Sequence, residues 1–507
     1  MSELTVDVVV VGSGGGAMAA AHLAQKRGLS TVVLEKTDLI GGTSAYSGGA
    51  CWLPGTDVQQ RSGQTTDSTD GAREYLTHVL ADADHPVDPT KLEAFLAEAP
   101  RLVAELEADD AFVFEWVPFP EYYDAPGRVS SGRSIQTSNI KRDQIPEEVA
   151  ALVRPPVDCE RAGRGGRRTL AGGQSLIGRL AWAFTRDGGQ ILTGHCVDEL
   201  LTDETGRVVG VVAVHDGGRR EIRATRGVVL AAGGFEGNQA ERDKHHVPGR
   251  ADWTMAPAGT NTGEPMAAAV ALGAALDLMD QGWYCPGVEH PNGQGSFVLG
   301  FRGGVIVDAT GARFANECLP YDRFGREMAA AGAERAWMVF DSAEGGQLPA
   351  IAMTQGEPAE HLAAGTWVQA DTVADLAAQL DLPELEATVT RFNGYAETGQ
   401  DAEFGRGDDE YDTFFASGTG PNRALTPIAQ GPFFAAKFVL SDLGTKGGLV
   451  TDAAARVRNT DGEVIAGLYA TSNSAASMMG RFYPGPGAPL GTAMVFGSLA
   501  VQDMAGA

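Results

Sequence analysis

Residues 6–11 read VDVVVV, a nearly unbroken β-branched run that predicts a strand buried on both faces of a parallel sheet. An alanine-rich helical stretch follows and stops around Gly28, and a second apolar strand, 31–34, ends on Glu35. Farther on, residues 173–186 have helical spacing, and 197–229 alternate apolar and polar positions around the turns DETGR and HDGGR, which predicts a β-meander. The pattern changes from about 283 to 440. Short strands at 304–307 and 337–340 mix there with helix-like stretches at 372–380 and 383–395. The organisation predicted is a discontinuous nucleotide-binding α/β domain, 1–281 and 444–507, with an α+β domain, 282–443, inserted between its parts. A last helix is expected over 492–505, opened by Gly491.

The loop after the first strand is GSGGGA. Gly12, Gly14 and Ala17 stand at the G-x-G-x-x-G/A spacing, with a strand before, a helix after and an acid at the end of the second strand. Glycines let a pyrophosphate approach the positive end of the helix, and Glu35 can accept hydrogen bonds from an adenosine ribose. This context predicts dinucleotide binding and leaves NAD and FAD open.

Composition narrows the partners. A formal charge of −27 over 507 residues argues against nucleic acid, whose phosphates call for clustered Lys and Arg. One basic cluster, Arg161, Arg164, Arg167 and Arg168, is short and glycine-rich and is expected to be a solvated loop. The five cysteines show no metal-ligand spacing and leave an odd count, which fits a reducing cytoplasm, and no metal is expected. No apolar run approaches the roughly 18 residues of a membrane helix, so a cytoplasmic protein without integral membrane segments is expected.

The segment EKTDLIGGTSAYSGG, 35–49, resembles the stretch that runs along the pyrophosphate and flavin in glutathione-reductase-like flavoproteins. GVVLAAGG, 227–234, is similar to their second glycine-ended strand, and GLYATS, 467–472, to the strand before the flavin ribityl contact. This chain carries Ser472-Asn473 where many of those proteins have an acid. The resemblance implies a Rossmann-like FAD-binding domain. FAD would contact Gly12, Ser13, Gly14, Gly15, Gly16 and Ala17, then Glu35 and Lys36. It would also contact Gly41, Gly42, Thr43, Ser44, Ser47, Gly48 and Gly49, and finally Val197, Ala232, Gly233, Gly234, Asn473, Pro489 and Leu490.

Residues 481–491 read RFYPGPGAPLG. Proline fixes φ and glycine permits positive φ, so this loop has one defined shape with N–H donors at Gly485 and Gly487. Tyrosines stand at three loop positions: Tyr122 in PFPEYYDAPGR, Tyr321 in NECLPYDRFGR and Tyr483. A dicarboxylate substrate would need cationic clamps, but His290, His361, Arg323, Arg326 and Arg481 form no such pattern.

The segments VGSGGGA, LEKTDLIGGTSAYSG, PFPEYY, LPYDRFGR, LSDLGTKGGLVTD and GRFYPGPGAPLGTAMVF together resemble the 3-ketosteroid Δ1-dehydrogenases, of the fumarate-reductase flavoprotein group. That resemblance implies that Tyr483 and the Gly487 N–H hold a steroid 3-keto oxygen. It also implies that Tyr321 takes the carbon-2 proton with help from Tyr122, that FAD takes hydride from carbon 1, and that electrons pass to an unidentified acceptor. Tyr123 is the alternative to Tyr122. Rival readings are a steroid 4-dehydrogenase, a fumarate-reductase-like enzyme and a non-catalytic nucleotide-binding steroid carrier.

Overall fold

The computed structural model describes residues 4–64, 66–82 and 85–506. It divides into two compact units. The first comprises the described residues up to Glu241, then Ala256–Gln281, and those from Gly444 on; the second comprises Arg242–Met255 and Gly282–Leu443.

The first unit is built on an eight-stranded sheet. Leu4–Val11 lies between Thr31–Leu34 and Gly218–Leu230, both parallel to it. Gln190–Leu192 extends one side in parallel, and Val464–Ala470 extends the other. Val8, Val9 and Val10 have no solvent exposure, as the β-branched run predicts for a strand covered on both faces. The meander takes the form Cys196–Thr202, Val208–His215, Gly218–Leu230, paired antiparallel in sequence. Its last strand continues into the parallel sheet.

Gly15–Lys26 and Gly173–Arg186 are helices, as the spacing predicts. The last helix differs from expectation. It runs Ala488–Ala505 with Gly487 as its N-cap, so it begins before Gly491, whose N–H already donates to the Gly487 carbonyl. The physical reason is that Pro489 falls in the first turn, where a missing N–H costs no helical hydrogen bond.

The second unit has a five-stranded sheet in the order Gly282–Val288, Phe433–Thr445, Arg335–Phe340, Val305–Val307, with Trp367–Ala370 also paired to the long strand. Helices Val373–Leu380 and Leu385–Thr398 supply Leu376, Leu385, Val389 and Phe392 to the core against Val305, Val307 and Val339. Residues 242–255 pack in this unit. Arg242 and Thr254 both donate to Asp442, at 2.7 and 2.6 Å.

Among the described residues no helix is long and apolar enough to cross a membrane. Arg164, Arg167 and Arg168 are largely exposed and face Asp158 and Asp143, in keeping with a solvated loop, but Arg161 differs: it ends the short helix Val157–Arg161 and is partly buried, which lowers its pKa.

One buried charge gives a stability prediction. Lys91 donates to Thr451 at 3.0 Å and lies 5.4 Å from the centre of the Phe496 ring. Burial lowers its pKa from 10.5 to about 8. Between these values the unfolded chain holds more protons than the folded one, so this group makes stability rise with pH across that window. A Lys91→Met protein is expected to lack the rise and to be about 1–3 kcal/mol more stable at neutral pH. Urea unfolding midpoints of both proteins at neutral and alkaline pH check this.

Candidate active site

The first turn of the Rossmann unit makes a closed cradle. Gly12 has φ +101°, and a Cβ there would stand 2.4 Å from the Ala231 carbonyl oxygen; only glycine fits where three parallel strand ends meet. Gly14 caps the helix that starts at Gly15, and Gly16 and Ala17 are buried in its first turn. The Gly15 N–H donates to Ser44 Oγ at 3.1 Å. Leu490 packs so closely on Gly15 that a Cβ there would stand 2.3 Å from its Cδ1. Pro489 precedes it in the first turn of the last helix.

At the end of the second strand Glu35 is buried. Its Oε1 accepts from the Thr37 N–H and hydroxyl, and its Oε2 accepts from Ser13, whose oxygen accepts from the Gly41 N–H. Lys36 directs its ammonium to Thr262 and Glu264, at 2.7 and 2.8 Å. Gly42–Tyr46 forms one short helix containing Thr43 and Ser44. The Thr43 hydroxyl is buried without a hydrogen-bond partner. Ser47 and Gly48 are exposed, and the Gly49 N–H donates to Ser47 Oγ.

On the neighbouring strand ends, the Ala232 N–H donates to Ser474 Oγ, which donates to the Gly233 carbonyl. A Cβ on Gly234 would stand 1.9 Å from Thr445 Oγ1, and one on Gly444 would stand 2.1 Å from Asn473 Nδ2. Between them lies Glu236, fully buried and accepting from Asn261 and Thr445, which the sequence reading missed. Val197 lies in the first meander strand, buried. A glycine-lined cradle at a helix N-terminus, a carboxylate at the second strand end and an unpartnered buried hydroxyl suit a dinucleotide.

The stiff loop belongs to the same unit. Tyr122 and Tyr483 are 1 % and 3 % exposed, and their ring centres are 5.3 Å apart. Tyr123 instead meets the edge of Phe482, 6.1 Å away, so the buried pair is formed by Tyr122. Gly487 has φ +85°, and its N–H points at the Tyr483 hydroxyl oxygen, N···O 3.4 Å.

The loop is clamped through its carbonyls. Pro484 O accepts from the Tyr122 N–H and the Tyr75 hydroxyl, Pro486 O from Ser134, and Gly487 O from the Trp52 N–H. Behind it Arg133, with no solvent exposure, pairs with Asp67 and Glu121 at 2.6 Å each. Glu121 also accepts from the Trp52 indole and the Val129 N–H. Burial pushes the Glu121 carboxyl above the usual carboxylate range, against the pull of Arg133. Arg481 pairs with Asp82, and its carbonyl accepts from the buried Lys446. None of these supports shares a sequence motif with the loop; only Glu121, next to Tyr122, lay within sight.

Tyr321 belongs to the second unit. It is the first residue of the helix Tyr321–Ala330, where the sequence reading placed a loop; Pro320, as its cap, supplies the entry. Its ring is 5 % exposed and meets Phe297 edge to face at 4.9 Å. In the same unit His290 hydrogen-bonds Thr354, and buried His361 bonds Thr366 and the Gln355 carbonyl.

The segment entering the Tyr321 helix is held by a buried ion cluster. Glu317 accepts from Arg313 at 2.8 Å through both oxygens and from Arg406 at 3.1 Å, and Arg313 also bonds Asp401 at 2.9 Å. Burial raises the Glu317 pKa, but the Arg313 and Arg406 charges outweigh it and hold the carboxyl below its ordinary 4.5. Its contribution is therefore present above that value and lost as pH falls through the folded one. Glu317→Gln is expected to lower stability by about 3–5 kcal/mol at neutral pH. The deficit should shrink in acid, as followed by chemical denaturation.

Comparison with known proteins places this geometry. Residues 7–490 match the family described as FAD binding domain. The chain is 40 % identical to a 3-oxosteroid 1-dehydrogenase of Rhodococcus opacus, with 98 % of each chain covered. It is 37 % identical to one of Mycobacterium tuberculosis strain H37Rv, with 100 % of each covered. Among solved structures it resembles the 3-ketosteroid Δ1-dehydrogenase of Sterolibacterium denitrificans in complex with 1,4-androstadiene-3,17-dione, with TM-score 0.90, 31 % identity and 99 % of each chain covered.

Proposed function

The chain belongs to the FAD-dependent 3-oxosteroid 1-dehydrogenase family, and from that premise we propose how its own residues carry the reaction. The cofactor is FAD and the substrate a 3-oxosteroid, which gains a 1,2 double bond. The observation that carries this reading is the buried Tyr122–Tyr483 pair beside the Gly487 N–H, held by a loop whose Pro484, Pro486 and Gly487 carbonyls are engaged.

A proton beside a ketone leaves only if charge developing on the oxygen is stabilised. The Tyr483 hydroxyl and the Gly487 N–H, 3.4 Å apart, donate to that oxygen in place of their contact with each other. Because the loop is already fixed, its dipoles need not reorganise as charge appears. Tyr321 accepts the carbon-2 proton, with Tyr122 assisting. Bound FAD supplies the acceptor for the carbon-1 hydride. The residues proposed to hold it are the glycine turn Gly12–Ala17, Glu35, the 41–49 segment with Thr43, and the strand-end positions Ala232, Gly233, Gly234 and Asn473. Pro489 and Leu490, in the first turn of the last helix, complete the set. An electron acceptor from outside the chain would reoxidise the bound cofactor. No disulfide forms among the described cysteines, and we assign the protein to the cytoplasm, where thiols stay reduced.

The test is a reductive half-reaction. Mixed anaerobically with a 4-ene-3-oxosteroid, the yellow protein is expected to bleach and release the 1,4-diene. A flavin that stays oxidised, or a product that retains both hydrogens on carbon 1, refutes the assignment. A saturated 5α-3-oxosteroid converted only at carbons 4 and 5 would point to the 4-dehydrogenase instead.

A further inference from the structure

We propose that Tyr75 is a positioning residue that fixes the spacing of Tyr122 and Tyr483; the inference rests on the function just given. Tyr75 lies on the helix Thr69–Val79 and has no solvent exposure. Its hydroxyl donates to the Pro484 carbonyl at 2.7 Å and accepts from the Tyr123 N–H at 3.2 Å. The Tyr122 N–H donates to that same carbonyl at 3.0 Å. One phenol thus closes a hydrogen-bonded ring joining the backbone on either side of Tyr122 to the residue after Tyr483.

Anchoring this carbonyl matters more than anchoring most. Proline already fixes φ at position 484, so holding its carbonyl also fixes ψ, and the direction in which Tyr483 leaves the chain follows. The Tyr75 ring is itself held, with the Arg133 guanidinium 5.7 Å from its centre and the Trp52 ring 6.4 Å away. Tyr75 does not serve as an acid or base. Its proton is engaged by Pro484, and burial, with the Glu121 charge second, raises its pKa well above the usual tyrosine range.

Tyr75→Phe keeps the ring and removes only the bridge. Pro484 O retains the Tyr122 N–H, and Tyr123 loses its acceptor. In the holoenzyme, with a 4-ene-3-oxosteroid and an artificial acceptor, kcat per bound FAD is expected to fall about 10- to 100-fold with KM within about threefold, since misplacement of about 1 Å costs about that much. The kinetic isotope effect from deuterium at carbon 2 is expected to grow, because proton removal becomes the slower step; a merely structural role would leave it unchanged. A kcat within about twofold of wild type with the same isotope effect overturns the proposal. So does a loss of activity accounted for wholly by lost flavin. If the unaltered protein oxidises no 3-oxosteroid, the functional reading fails by itself, and the crystal structure of Tyr75→Phe then decides this one. A Tyr122–Tyr483 spacing changed by more than about 0.5 Å supports it, and an unchanged spacing overturns it.

Discussion

A Tyr321→Phe protein is expected to retain FAD and bind steroid nearly normally while its turnover falls by about 10³-fold or more, within the range for loss of a general base. The substitution removes one oxygen and leaves the rest of the residue in place. Phenylalanine keeps the edge-to-face contact with Phe297, and Pro320 still starts the helix. Flavin content, melting temperature and steroid-induced spectral shift should therefore match the parent. Rapid mixing should show no bleaching on the parent's timescale. A tyrosine base is unusual, since the ordinary pKa of that side chain is about 10. Near-normal turnover by the phenylalanine protein would remove Tyr321 from the mechanism.

The second large effect is expected at Gly487. Alanine at φ +85° adopts the left-handed region at a cost of about 1 kcal/mol. Its Cβ would also stand 2.1 Å from the Ala50 oxygen and 2.7 Å from the Cys51 nitrogen. Both neighbours are backbone, so the loop itself must move. That movement takes the Gly487 N–H away from Tyr483 and disturbs the bond between the Trp52 N–H and Gly487 O. Loss of one such donor costs about 10²–10³ in kcat. Gly487→Ala is expected to fall in that range and to melt several degrees lower, because Gly487 also caps the last helix. Binding of an inert phenolic steroid should weaken in parallel. Full activity with unaltered steroid binding would show that this amide does not serve the ketone.

Much of this architecture was legible in local sequence. The VDVVVV run, the glycine turn and the acid after the second strand each follow from one element's own needs, and each appears where its chemistry requires. The meander was legible because alternation and turn residues are both short-range. Two features misled. PGPGAPLG reads as punctuation, yet Ala488 and Pro489 satisfy the first turn of a helix as well as they satisfy a loop. The segment 242–255 has no pattern of its own and joins the second unit through distant residues, among them the buried Asp442, about 200 positions away, and Ser441, whose hydroxyl donates to the Trp253 carbonyl. The clamp on the loop is similarly silent. Tyr75, Ser134 and Trp52 contact it across hundreds of residues, and such long-range hydrogen bonds leave no periodicity. The phenols themselves were found through motifs, because a lone tyrosine carries no signature of catalysis.

The parallel sheet joins the two ends of the chain. Thr471, after the strand Val464–Ala470, donates its N–H to Leu230 and its hydroxyl to Ala493 of the last helix, and Gly497 packs against Gly16 with room for no side chain. A nascent polypeptide emerging from the ribosome therefore carries its glycine turn for most of translation before the segment that completes the nucleotide fold exists. Cofactor capture must follow synthesis of that segment, and termination anywhere before the strand Val464–Ala470 is expected to yield a colourless product.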